Sequence, residues 1–153
     1  MSVIVRDDDF VPVSINYLLT TNKYGVKRYR ILTDEETEKV KQDEKLSAKL
    51  YTLNTKWKPQ TWQDQNDLFT VSSFFNPQLN RQDTDWNKFR AVRLLKSIVQ
   101  WDAMDEHGRI LPLNDKNKSN LHSTLANALS NRFDEIMSVE DDELGELQIL
   151  SQP

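Results

Sequence analysis

The chain has 153 residues, of which 37% are hydrophobic and 29% are charged, with a net charge of −4 and a mean hydropathy of −0.70. This is the length of one ordinary domain, and no apolar run approaches the length of a membrane span. The absence of cysteine excludes disulfides, thiolate nucleophiles and cysteine-ligated metal sites. The first residues show no basic segment followed by a long apolar stretch, so we expect a cytoplasmic protein without a secretory signal.

Charge is unevenly distributed along the chain. Residues 23–30 carry four basic and no acidic side chains, whereas seven acidic and no basic side chains follow Arg132. The net acidity argues against nucleic acid as the main ligand, although the basic segment suits an acidic partner.

Hydrophobicity alternates along three segments near the N-terminus. Residues 11–20 and 26–32 have the period-two pattern of half-buried strands, and the turn between them contains Gly25. These features predict a β-hairpin. Alternation continues over residues 51–57 until Pro59 stops it, which predicts a third strand that pairs with the hairpin.

A helix is predicted between the second and third strands. Thr33 and Glu36 have the spacing of a capping box, in which each side chain bonds the backbone of the other residue. The residues up to Lys49 are mostly charged or polar, so this helix is expected to bury a narrow stripe and to lie on the surface.

From Thr61 onward the hydrophobic period becomes helical. Thr61 is placed to cap a helix that reaches Phe75, and residues 78–83 read as a polar loop. Further helices are predicted from Trp86 to Trp101 and from Ser119 to Met137, joined by turn residues around Gly108. Together these helices predict a three-helix core, with buried positions at Leu94, Leu95, Ile98 and Leu125.

The sequence therefore predicts an α+β protein with three parts. Residues 1–58 form a β-rich part with a small antiparallel sheet and one surface helix, residues 59–138 form a mainly helical core, and residues 139–153 form an acidic, flexible tail.

Two segments of the second half of the chain have a distinctive pattern. An aromatic-Pro-x-x-Trp-x-x-Gln-Asn segment is present as Trp57-Lys58-Pro59-Gln60-Thr61-Trp62-Gln63-Asp64-Gln65-Asn66. After Trp101-Asp102, an acidic-Gly-x-x-Leu-Pro-Leu segment is present as Glu106-His107-Gly108-Arg109-Ile110-Leu111-Pro112-Leu113. With these segments the chain resembles the tail assembly chaperones of tailed bacteriophages, and the resemblance covers Lys56 to Ile136. The resemblance implies a protein that coats the phage tape measure protein and delivers it to polymerising tail tube subunits.

Candidate protein contacts are few. Trp57 stands at the end of a predicted edge strand beside Pro59, and tryptophan is favoured at interface hot spots. The tail offers Leu147, Ile149 and Leu150 as a small apolar docking element. The other tryptophans, Trp62, Trp86 and Trp101, lie at helix ends and are expected to pack in the helical core.

The sequence supports no catalytic or cofactor site. His107 falls in a polar turn and His122 at the start of a helix, so turn and capping roles explain them better than general-base catalysis. The clustered carboxylates lack the spacing of a calcium loop, and the three isolated glycines cannot form a phosphate loop. We therefore expect no enzyme, no metal and no cofactor.

Two other functions are alternatives to that of a tail assembly chaperone. One is a small structural subunit of the phage particle, in the tail, adaptor or capsid, which would place the protein in the virion. The other is a nucleic-acid-binding regulator that uses the basic and aromatic residues between Tyr17 and Arg30. Self-association into a homo-oligomer is also compatible with a chaperone whose affinity is spread over many copies.

Overall fold

The computed structural model describes residues 3–138. The predicted acidic tail, residues 139–153, lies outside the described residues. The N-terminal half contains three strands and two short helices, in chain order β1 (Val11–Thr21), β2 (Lys27–Leu32), α1 (Asp34–Lys41), α2 (Glu44–Ser47) and β3 (Leu50–Trp57). The C-terminal half continues with α3 (Trp62–Ser72), β4 (Ser73–Asn76), β5 (Arg81–Thr84), α4 (Trp86–Ser97), β6 (Ile98–Trp101), α5 (Asp115–Ser119) and α6 (Ser123–Ser138).

The predicted α+β class is confirmed, and so are the three N-terminal strands. They belong to an antiparallel four-stranded sheet of order β2-β1-β3-β6. The β1–β2 turn contains Gly25 at a φ of +80°, where glycine avoids the steric cost that a Cβ brings. Along β3 the register runs from Val11↔Trp57 to Leu18↔Leu50. Because β6 occupies its other side, β3 is an interior strand, and its prediction as an edge strand is wrong.

The predicted capping box is present at the start of α1. The Thr33 hydroxyl accepts from the Glu36 N–H at 3.2 Å, and the Glu36 carboxylate accepts from the Thr33 N–H at 3.2 Å. The helix does not continue to Lys49, however. The Asp43 carboxylate accepts from the Lys45 N–H at 2.9 Å and starts the separate helix α2, because a short acidic side chain competes for backbone donors.

The predicted helix from Trp86 to Trp101 ends early. Its last four residues form β6, which pairs with β3 through Trp57↔Ile98 and Thr55↔Trp101. The Lys58 N–H also donates to the Ser97 carbonyl at 2.8 Å. Ile98 and its β-branched neighbour Val99 suit a strand, and β3 offers an unpaired edge whose hydrogen bonds this segment satisfies.

The helix predicted from Thr61 to Phe75 also ends early. Its cap is confirmed, since the Thr61 hydroxyl accepts from the Asp64 N–H at 3.1 Å. After Ser72 the chain becomes extended, and the predicted polar loop turns back to form the antiparallel hairpin β4–β5, with Ser73↔Thr84 as its last pair.

The connection to the last helix is divided in two. Gly108 adopts a positive φ, +75°, in the predicted turn, and Asn114 caps the next helix by accepting from the Asn117 N–H at 2.8 Å. That helix is the short α5, and α6 begins at Ser123 rather than at the predicted Ser119.

The main hydrophobic cluster contains side chains from both sides of residue 58. Helix α6 packs on β1 and β2, and α3 packs on α4, instead of all three helices forming their own core. No helix among residues 3–138 is long and apolar enough to cross a membrane. A smaller cluster consists of Leu18, Leu32 and Val40. The buried residues of the main cluster are Val13, Ile15, Leu53, Trp57, Leu94, Ile98, Trp101, Ala103, Leu125, Leu129 and Phe133.

The predicted buried positions hold with one exception. Leu94, Ile98 and Leu125 are buried, whereas Leu95 is only half-buried. We therefore expect Leu95→Ala to lower the free energy of unfolding by about 1 kcal/mol, rather than the 2–5 kcal/mol typical of a core leucine. Urea denaturation measures this change, and a loss of about 3 kcal/mol or more would show that Leu95 belongs to the core.

Candidate protein-binding surface

The tryptophan predicted to contact a partner lies inside the protein. Trp57 has 0% exposure, and its ring stacks on Phe133 at a centroid distance of 4.6 Å. Its indole N–H donates to the Thr55 hydroxyl at 2.8 Å, which satisfies its one polar group. Trp57 is therefore a core residue, and its assignment as a contact is wrong. The other predicted contacts, Leu147, Ile149 and Leu150, lie outside the described residues.

Four exposed aromatic side chains from α3, β4 and α4 form what we call the aromatic surface. Trp62 and Trp86 are 78% and 58% exposed, and Phe69 and Phe74 are 42% and 46% exposed. Trp62 and Phe69 are seven residues apart, so they project from the same side of α3. The expectation that Trp62 and Trp86 pack in the core is wrong, while Trp101 is buried as predicted.

A ring contact and a shared cleft connect three members of this surface. Phe69 lies edge-on to Trp86, with 6.2 Å between ring centroids. Phe74 and Trp86 line one shallow cleft, together with Asp85. Phe69 of α3, Trp86 of α4 and Phe74 of β4 are therefore neighbours, and Trp62 stands seven residues before Phe69 on α3.

The buried Phe89 of α4 packs against the rings of Phe69 and Trp86. Phe89 is 6% exposed and lies 5.2 Å from the Phe69 ring and 5.4 Å from the Trp86 ring. The Asp85 N–H donates to the Ser72 carbonyl at 2.8 Å, which ties the end of α3 to the start of α4. The surface is thus preorganised by packing, and binding does not have to order it.

The exposed area of the aromatic surface matches that of the largest apolar patch on a typical monomer. Aromatic side chains present about 150–250 Å² each, so the four exposed fractions correspond to about 500 Å². The largest apolar patch on a monomeric protein is about 300–600 Å² and is often functional. Phe75 and Leu79 of the same hairpin are also more than half exposed. This part of the molecule is suited to bind an apolar partner.

The two histidines occupy a turn and the start of a helix. His107 is exposed in the turn, and its N–H donates to Asp105 at 2.9 Å. His122 Nδ1 accepts from the Thr124 N–H at 3.2 Å at the start of α6. These are the turn and capping roles predicted for them. Among residues 3–138, no cluster of three or more His, Asp or Glu side chains is placed to hold a metal ion.

Comparisons with models of protein families, with curated proteins and with solved structures found no match to this chain.

In the β1–β2 hairpin, the arginines do not share a face of the sheet with Tyr17 and Tyr29. Tyr17 and Tyr29 pack together at 5.7 Å on one face of the sheet, whereas Arg28 and Arg30 lie on the other, as the alternation predicted. Burial, with the neighbouring tyrosines, raises the pKa of Tyr17, so this phenol stays neutral. Arg30 already pairs with Glu36 at 3.0 Å. A base that stacked on the tyrosines would therefore not reach both arginines.

Sequence reasoning missed the aromatic surface because it assigned every apolar residue of a helical stripe to the core. The signal lies in the composition of α3. Only Leu68 and Ser72 of this helix are buried, and its remaining residues are mostly polar. A helix that buries so narrow a stripe leaves its other apolar side chains, Trp62 and Phe69, exposed to solvent.

Proposed function

We propose that the protein is a non-enzymatic, protein-binding assembly factor of a tailed bacteriophage. In this proposal it is a tail assembly chaperone that binds the tape measure protein and brings it to the tail tube subunits. The sequence resemblance over Lys56 to Ile136 supports the phage role, and the aromatic surface supports protein binding. The observation that carries the proposal is the exposure of Trp62, Phe69, Phe74 and Trp86 on a preorganised support.

The chemistry of the surface fits a chaperone. Aromatic side chains supply a large contact area at a low cost in conformational entropy, and they dominate the energies of protein interfaces. An assembly chaperone must shield the apolar stripes of its partner and later release them. An area of about 500 Å² is below the roughly 800 Å² per partner of a standard stable complex, which suits release.

A capture experiment tests this proposal. The purified protein is immobilised, and its affinity for the tape measure protein and the tail tube protein is measured. We expect Trp62→Ala combined with Trp86→Ala to weaken capture of the tape measure protein by at least about tenfold, because each removes an exposed anchor.

Tyr24→Ala is the matched control. Tyr24 is as exposed as Trp62, at 78%, but lies on the β1–β2 turn, far in sequence from the aromatic surface. We expect this variant to bind as the unaltered protein does. Equal affinity of all variants would remove the aromatic surface from the interaction. Failure of the unaltered protein to capture either partner, with a stable copy in purified particles, would instead favour the structural-subunit function.

A further inference from the structure

The cleft at the start of α4 combines aromatic rings with a carboxylate. Its volume is about 430 Å³, at the lower end of the range of about 300–1,000 Å³ found for ligand sites, so it can hold one side chain of a partner. Phe74 and Trp86, which contribute the rings, are 46% and 58% exposed. The lining residues are Phe74, Thr84, Asp85, Trp86 and Asn87, and together they are called the aromatic cleft below.

The Asp85 carboxylate can accept a further hydrogen bond. Its Oδ1 accepts from the Lys88 N–H at 3.1 Å and so caps α4, whereas its Oδ2 has no partner among residues 3–138. The start of a helix carries about half a positive charge, which the full negative charge of one carboxylate outweighs. The aromatic cleft therefore favours a cation over an anion.

The basic side chains nearest in sequence leave the aromatic cleft free. Arg81 and Lys88 do not line it, and neither forms an ion pair within the described part of the chain. The cations that lie over aromatic rings in residues 3–138 are Lys23, Lys56 and Arg93, and their rings are those of Tyr24, Phe10, Phe89 and Phe133. Two rings and a carboxylate thus stand together without a cation from the described residues.

The surroundings of the aromatic surface are acidic. Residues 59–87, which contain α3, the β4–β5 hairpin and the start of α4, carry four acidic side chains and one basic side chain. The acidic residues are Asp64, Asp67, Asp83 and Asp85, and none of them forms an ion pair with another residue of the range 3–138. Charge complementarity therefore favours a partner segment that is basic as well as apolar.

We propose that the aromatic cleft binds an arginine side chain of the partner protein, carried on a segment that is both basic and apolar. This inference rests on the proposed function and adds a charge-selective position to the aromatic surface. The guanidinium stacks on the exposed rings of Trp86 and Phe74 and donates to Oδ2 of Asp85. Arginine suits the cleft better than lysine, because a guanidinium is more weakly hydrated and stacks on aromatic faces.

A free arginine derivative tests the aromatic cleft on the full chain without a partner protein. N-acetylarginine amide is titrated into isotope-labelled protein, and the indole N–H signals of the tryptophans are followed by NMR. We expect a saturable shift of the Trp86 signal and no shift of the signal of Trp57, which is fully buried. N-acetylcitrulline amide, a neutral isostere, should bind at least about fivefold more weakly, because it lacks the charge.

Asp85→Asn removes the charge of the cleft and keeps the helix cap, because asparagine caps a helix about as well as aspartate. We expect it to weaken binding of the arginine derivative by at least about threefold. Asp64→Asn is the matched control. Asp64 lies eight residues, or about 12 Å of helix, before Ser72, which bonds Asp85. At about 0.15 M salt, charges more than about 8 Å apart are largely screened, so this variant should bind as the unaltered protein does.

Equal affinity of the unaltered protein for the two derivatives would overturn the proposal, as would a Trp86 signal that shows no saturable shift. Equal weakening by Asp85→Asn and Asp64→Asn would also overturn it, because general acidity would then hold the cation. The proposed function fails separately. Binding of the arginine derivative without capture of the tape measure protein would keep the aromatic cleft and discard that partner, whereas capture without binding of the derivative would discard the arginine site alone.

Discussion

Replacement of Trp57 by alanine is expected to lower the free energy of unfolding by about 3–5 kcal/mol. Trp57 is fully buried, stacks on Phe133 and lies where β3, β6 and α6 meet. Its removal leaves a large cavity that the surrounding strands cannot fill, and the Thr55 hydroxyl loses the indole N–H that donates to it. Urea denaturation monitored by circular dichroism measures the loss.

The same substitution at Trp62 is the control for residue type. Trp62 is 78% exposed, so Trp62→Ala should change the free energy of unfolding by no more than about 0.5 kcal/mol. Similar losses at the two positions would contradict the assignment of Trp57 to the core and of Trp62 to the binding surface. The comparison also shows that a loss of partner capture by Trp62→Ala reports on binding rather than on unfolding.

Asp134→Ala is expected to lower the free energy of unfolding by about 3 kcal/mol. Replacement of its ion-pair partner, Arg93, is expected to cost less. Arg93 is 7% exposed and lies between the rings of Phe89 and Phe133, with Asp134 at 2.8 Å as its ion-pair partner. Its Nε and Nη2 have no hydrogen-bond partner in the described part of the chain. Asp134→Ala therefore leaves a buried guanidinium without its counter-charge.

Arg93→Met is the informative counterpart. A methionine keeps an apolar side chain between the two rings, and Asp134, which is half exposed, can be solvated by water. We expect this change to cost about 1 kcal/mol or less. Denaturation of both variants at neutral pH and low salt measures the difference. A larger loss for Arg93→Met than for Asp134→Ala would show that the guanidinium itself stabilises the contact between α4 and α6.

Features that depend on neighbours in the sequence were predictable. The capping boxes at Thr33 and Thr61 each involve a side chain and a backbone N–H three residues apart. The turn at Gly108 depends on the conformational freedom of one residue. The strands β1, β2 and β3 follow from alternation over six or more residues. Local hydrogen bonds and steric limits act in any fold that contains these residues, so the sequence alone determined these elements.

Only the tertiary structure determined the conformation of segments whose pattern fits both a helix and a strand. It also determined the location of the candidate site. The apolar run Ile98–Trp101 fits a helix or a strand, and the free edge of β3 selects the strand. Trp57 and Trp62 are of the same type and five residues apart, yet β6 and α6 bury the first and nothing in the described chain covers the second. Burial of a side chain depends on which distant elements pack against it, and no local sequence pattern encodes such long-range contacts. The aromatic surface, assembled from α3, β4 and α4, was for that reason visible only in the folded protein.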